Sequence, residues 1–115
     1  SEIMTAGNQY VCEGSMVTLS CNATGKPAPN ITWTRVWENG TDSEELPSIN
    51  GYYVIRNTSR SSNGTYRCTA FNGVGEPVNQ TMEVIVGSKV IFLHVLICES
   101  FFNEEIPNIV EWLSL

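Results

Sequence analysis

A chain of 115 residues is close to the usual size of one domain, long enough to enclose a single hydrophobic core and too short for two. A formal charge of -6, with only six Lys and Arg scattered along the sequence, argues against a nucleic-acid binder, which needs clustered cations to neutralise phosphates. Four cysteines, Cys12, Cys21, Cys68 and Cys98, lack the close C-x-x-C spacing of a zinc site and point to disulfides instead.

In chain order, the first eight residues read as a flank with no basic or apolar leader, as expected of a piece of a longer secreted chain. In Met16–Cys21, Val17, Leu19 and Cys21 share one face at period two, the mark of a half-buried strand. Ile31 and Trp33 repeat the alternation, as do Tyr53 and Ile55, then Tyr66, Cys68 and Ala70, and last Met82, Val84 and Val86. Between these runs stand Glu13-Gly14-Ser15, Gly25-Lys26-Pro27, Glu38-Asn39-Gly40, Asn50-Gly51, Asn63-Gly64 and Asn72-Gly73, the punctuation of an antiparallel all-β protein. Alternation is lost after Gly87, so the domain is expected to cover residues 9–86, with residues 87–115 as a tail either disordered or docked on the domain by its apolar side. Val90–Cys98 is far below the roughly 20 apolar residues of a membrane span and is interrupted by His94. A short amphipathic helix is predicted over Ile106–Leu113, starting at Pro107.

Asn-x-Ser/Thr sequons begin at Asn22, Asn30, Asn39, Asn57, Asn63 and Asn79, none with a central proline. That density predicts the secretory pathway and N-linked glycans on some of these residues.

Cys21, Trp33 and Cys68 stand 12 and 35 residues apart, and around them lie Gly25-Lys26-Pro27-Ala28-Pro29-Asn30-Ile31-Thr32-Trp33, Gly64-Thr65-Tyr66-Arg67-Cys68 and Cys68-Thr69-Ala70-Phe71-Asn72-Gly73-Val74-Gly75. These segments resemble the third strand and the last two strands of intermediate-set or C2-like immunoglobulin domains, as found in neural adhesion molecules and receptor ectodomains. The resemblance implies a two-sheet Greek-key sandwich, a Cys21–Cys68 bridge worth roughly 4 kcal/mol by chain entropy, and a core built on Trp33, Tyr66, Leu19 and Ile55. Ser62 stands where the family usually has an acidic residue, which removes one partner of the ion pair expected there. About 20 residues between Trp33 and Tyr53 leave no room for the extra strands of a variable-type domain.

Cys12 lies outside this pattern, and Cys98, a neighbouring domain or no partner at all are its open alternatives. No catalytic constellation is legible: His94 is alone in an apolar run, and Asp42, Glu44 and Glu45 read as a solvated loop rather than a metal site. No cofactor is expected. The resemblance implies an extracellular binding module of an adhesion or receptor protein, cell-surface or secreted, whose partner is another immunoglobulin-like domain of the same or a different protein. The alternative is a structural spacer with no ligand of its own. Glycans on both sheet faces would favour the spacer, whereas a bare face with exposed apolar residues would favour binding. Trp37 reads as an interface anchor or, the better reading, as a cover for the sheet edge or a residue stacked near a glycan on Asn39.

Overall fold

A computed structural model describes residues 2–5 and 7–99. Eight strands occur among them: β1 (Glu2–Thr5), β2 (Gln9–Cys12), β3 (Val17–Thr24), β4 (Asn30–Val36), β5 (Tyr52–Ile55), β6 (Gly64–Phe71), β7 (Val78–Phe92) and β8 (Val95–Glu99). They form two sheets, ordered β1-β3-β5 and β2-β7-β6-β4, with β8 paired to the distal half of β7. The two-sheet sandwich expected from the alternation is therefore present. One pairing departs from the antiparallel rule: β2 runs parallel to β7. Gly7, at a φ of +93°, sits where the chain leaves β1 in one sheet for β2 in the other.

Side chains at period two meet between the sheets. Val17, Leu19 and Cys21 of β3 face Trp33 of β4, Tyr66 and Cys68 of β6, and Met82, Val84 and Val86 of β7, all buried in one cluster. Ile55, with Ile31 and Tyr53, packs against it while remaining partly exposed. Cys21 and Cys68 are bridged with their Cα atoms 6.5 Å apart, joining the two sheets through this core. Trp33 lies opposite Cys68 in register and is 0% exposed. Its indole N–H donates to the Gly51 carbonyl at 3.0 Å, so no polar atom of the ring is left dry. Gly51 has a φ of +86°, and a Cβ there would run into the Cys21 carbonyl oxygen.

The Tyr66 hydroxyl donates to the Ser62 carbonyl at 2.7 Å, closing the corner at the start of β6. Ser62, in place of the usual acid, uses its hydroxyl to accept from the Ser59 N–H at 3.1 Å. Burial pushes the Tyr66 phenol above its ordinary range, with the nearby Arg35 charge opposing and Tyr53 adding to the rise. Between β4 and β5 the ladder contacts are single bridges, Trp33 to Leu46 and Val36 to Asp42, in line with the short spacing there.

At both ends the strands reach past the expected limits of 9 and 86. β1, within the expected flank, pairs antiparallel with β3 from Glu2–Thr24 to Thr5–Cys21. β7 crosses Gly87–Ser88 unbroken and folds back at Leu93-His94, so that Ser88–Phe92 pairs with Val95–Glu99. Ser88–Glu99 is thus a hairpin, within what the sequence reads as a tail. Leu93 and His94 take φ values of +54° and +67° at its tip, a left-handed pair usual for Gly and Asn. Cys12 is bridged to Cys98, with Cα atoms 5.6 Å apart, which settles the open pairing in favour of an internal staple. The helix predicted over Ile106–Leu113 lies outside the described residues.

Candidate binding surface

Strand alternation gives each sheet one outward face. On the four-stranded face the register sets Val36 beside Thr65 and Glu83, then Thr34 beside Arg67 and Thr81, then Thr32 beside Thr69 and Asn79, and finally Asn30 beside Phe71. Arg67 and Asp42 form an ion pair at 2.7 Å, and Thr34 donates to the same carboxylate at 3.1 Å. Asp42, expected in a solvated acidic loop, is therefore engaged within the protein. The face is rich in threonine, with Phe71 44% exposed at one end and Tyr10 of β2, beside Ile85, 50% exposed at its edge.

On the three-stranded face the register sets Val54 beside Thr18, Tyr52 beside Ser20, and Asn22 beside Met4. Tyr52 is 53% exposed and Met4 69%, and Met16 and Ile49 stand exposed next to the ends of β3 and β5. A shallow hollow between the strands is lined by Met4, Thr5, Ser20, Asn22, Asn50 and Tyr52. Here the sandwich shows water an apolar surface that its own core does not require.

All six sequon asparagines are exposed. Asn30 and Asn79 occupy one end of the four-stranded face, and Asn63 lies at the margin between β6 and β7, where its side-chain oxygen accepts from the Val86 N–H at 2.8 Å. Asn22 alone lies on the strands of the three-stranded face. Asn39 is in the turn after β4, and Asn57 follows β5. Trp37, just past β4, is 48% exposed, and the Arg35 guanidinium lies over its ring at 4.9 Å. His94 is exposed at the hairpin tip, remote in sequence from the core residues.

Two residues that hold this architecture were not legible as such. Thr58, 2% exposed, donates its hydroxyl to the Cys12 carbonyl at 3.1 Å or the Ser15 carbonyl at 2.9 Å, and so fixes the turn that presents Cys12 to Cys98. Gly51 receives the Trp33 indole. The only hint of Gly51 was its place in an Asn-Gly turn, and Thr58 was visible only as the middle residue of a sequon.

A family model for the immunoglobulin domain matches residues 2–72. Papilin of Drosophila melanogaster is 38% identical over 79 residues, which cover 67% of this chain and 3% of papilin. Among solved structures, the complex of Dpr2 Ig1-Ig2 with DIP-Theta Ig1-Ig3 superposes with a TM-score of 0.65 at 32% identity, over 76% of this chain and 32% of that one. The extracellular domains 3-5 of Drosophila OTK superpose with a TM-score of 0.57 at 29% identity, over 73% of this chain and 31% of theirs. The chain spans only a small part of each of these proteins.

Proposed function

The chain belongs to the immunoglobulin domain family, and from that premise we propose that it is an extracellular recognition module of a larger adhesion or receptor protein, without catalysis, that docks another immunoglobulin-like domain. The complex of Dpr2 with DIP-Theta is one in which immunoglobulin domains meet each other. OTK lends the extracellular setting, since its matching segment consists of extracellular domains. Among the described residues no helix is long and apolar enough to cross a membrane. N-linked glycans on the sequons are part of the reading.

The docking surface is the three-stranded face, and one observation carries it. That face exposes Tyr52, Val54 and Met4, with Met16 at its border, and bears a single sequon, at Asn22. The four-stranded face bears Asn30 and Asn79 and has Asn63 at its margin. Bulky hydrated glycans there would keep a partner off, whereas aromatic and methionine side chains are the usual anchors of a protein interface.

The test uses the chain secreted from eukaryotic cells, with glycan occupancy mapped by peptide mass spectrometry. Binding is measured against a second copy of the chain and against a panel of immunoglobulin-like ectodomains. Tyr52→Arg is expected to weaken the interaction by tenfold or more while a surface change at Thr81 leaves it alone. An unchanged affinity in Tyr52→Arg rejects this face. Occupied sites on both faces together with no binding at all would establish the spacer reading instead.

A further inference from the structure

The turn that leaves β4 brings a sequon and a half-open indole together. The Trp37 N–H donates to the Thr41 carbonyl at 2.9 Å, and the Gly40 N–H donates to the Trp37 carbonyl at 2.8 Å. Residues 37–41 are thereby closed into a tight reverse turn, with Gly40 at a φ of +85° supplying the left-handed position. The turn contains the whole sequon Asn39-Gly40-Thr41. The Thr41 N–H and hydroxyl both donate to Asn39 Oδ1, at 3.1 and 2.7 Å. This network fixes the side-chain amide through its oxygen and leaves Nδ2 unused.

Trp37 is held in place from beneath. The Arg35 guanidinium lies 4.9 Å from the Trp37 ring and 5.4 Å from the ring of buried Tyr66, and it donates to the Asn63 carbonyl at 2.7 Å. The stack roots the indole in the core on one side, while 48% of the residue stays exposed. The indole, Asn39, Asn63 and Thr65 line one open hollow at this pole of the sandwich.

We propose that Asn39 carries an N-linked glycan whose innermost N-acetylglucosamine packs the C–H face of its ring on the open face of Trp37. The proposal rests on the glycosylated-module reading above and adds a defined seat for one glycan. In the modification, Nδ2 of Asn39 bonds to the anomeric carbon of a lipid-pyrophosphate-linked oligosaccharide. The bond from that carbon to the pyrophosphate oxygen breaks, the lipid pyrophosphate departs with the electron pair, and Nδ2 gives up one proton. Oδ1 is untouched, so both hydrogen bonds from Thr41 survive. A pyranose with equatorial substituents presents C–H groups, slightly positive, to the negative face of an aromatic ring. The Arg35 stack pre-orders that ring, so little freedom remains to be lost when the sugar settles.

The experiment uses the intact chain secreted from eukaryotic cells. Glycopeptide mass spectrometry reports occupancy at Asn39, and denaturant unfolding compares the wild type with Asn39→Gln, Trp37→Ala and the double variant. Asn39 is expected to be occupied, and Asn39→Gln, which loses the Thr41 hydrogen bonds in either background, is expected to shift the unfolding equilibrium about twofold to tenfold further when Trp37 is present than when it is Ala. The N-acetylglucosamine protons should also resonate upfield in the wild type, a ring-current effect that needs no variant and that Trp37→Phe should retain in part. An unmodified Asn39 defeats glycosylation at this site. An occupied Asn39 with equal shifts in both backgrounds and no ring-current displacement overturns the stacking while leaving glycosylation intact.

Discussion

The chain has two disulfides set in opposite surroundings. Cys21–Cys68 passes between the sheets, inside the packed cluster around Trp33, and joins strands that already belong to one core. Cys12–Cys98 joins the end of edge strand β2 to the end of β8, a strand paired with β7 alone among the described residues. A two-stranded ribbon by itself is marginal in water, so the second bridge supplies attachment where the first adds to packing. A crosslink's importance to the fold thus depends less on the length of chain it closes than on what else holds the same residues.

The sharpest way to break the comparison is at Trp33. Trp33→Ala empties the space beside Cys21–Cys68 and leaves the Gly51 carbonyl without its indole donor, and is expected to cost about 3–5 kcal/mol in denaturant unfolding. A loss under about 1 kcal/mol would mean that the inter-sheet bridge alone carries the core. Replacing Cys12 and Cys98 together by Ser is expected to cost about 2–4 kcal/mol, the usual range for a native bridge, since the inner bridge shortens the outer loop only modestly in the unfolded chain. Its signature is local: amide exchange should accelerate across Val95–Glu99 while β4 and β6 stay protected. Equal acceleration in both places would make the two bridges equivalent.

The smallest expected effect is at Tyr66. Tyr66→Phe removes the hydrogen bond to Ser62 and should cost about 1 kcal/mol near neutral pH. Burial raises the folded phenol's affinity for its proton, so its contribution is complete below the unfolded value of about 10 and is lost as pH climbs through the folded value. Stability against pH should therefore fall more steeply above about pH 10 in the wild type than in Tyr66→Phe, as thermal melts would register.

The sandwich was readable from the sequence because its information is local. Val17, Leu19 and Cys21 alternate with Thr18 and Ser20, and glycine turns mark the gaps between runs, so strand and face follow from period two alone. The β7–β8 hairpin was not, because Val90–Ile97 is apolar at nearly every position and its turn falls on Leu93-His94, residues that carry no turn signal. β1 was missed for lack of length: four residues, Glu-Ile-Met-Thr, show too little pattern to be told from a flank. The candidate surface was legible only in part. Trp37 and the sequons could be named, but whether Tyr52 points inward or outward depends on the register with Ser20, a long-range fact.

The Cys12–Cys98 bridge also decides how the module bears tension. When the chain is pulled from ahead of Cys12 and from beyond Cys98, the load crosses the disulfide directly and bypasses the chain between the two cysteines, which stand 86 positions apart. The core strands, with Trp33, the inter-sheet bridge and the Tyr52 face, hang beside the line of force instead of forming part of it. In an extended protein under strain β3 to β7, with Tyr52 and Val54, stay assembled up to loads that break covalent bonds, while β1 and its Met4, ahead of Cys12, lie in the line of force.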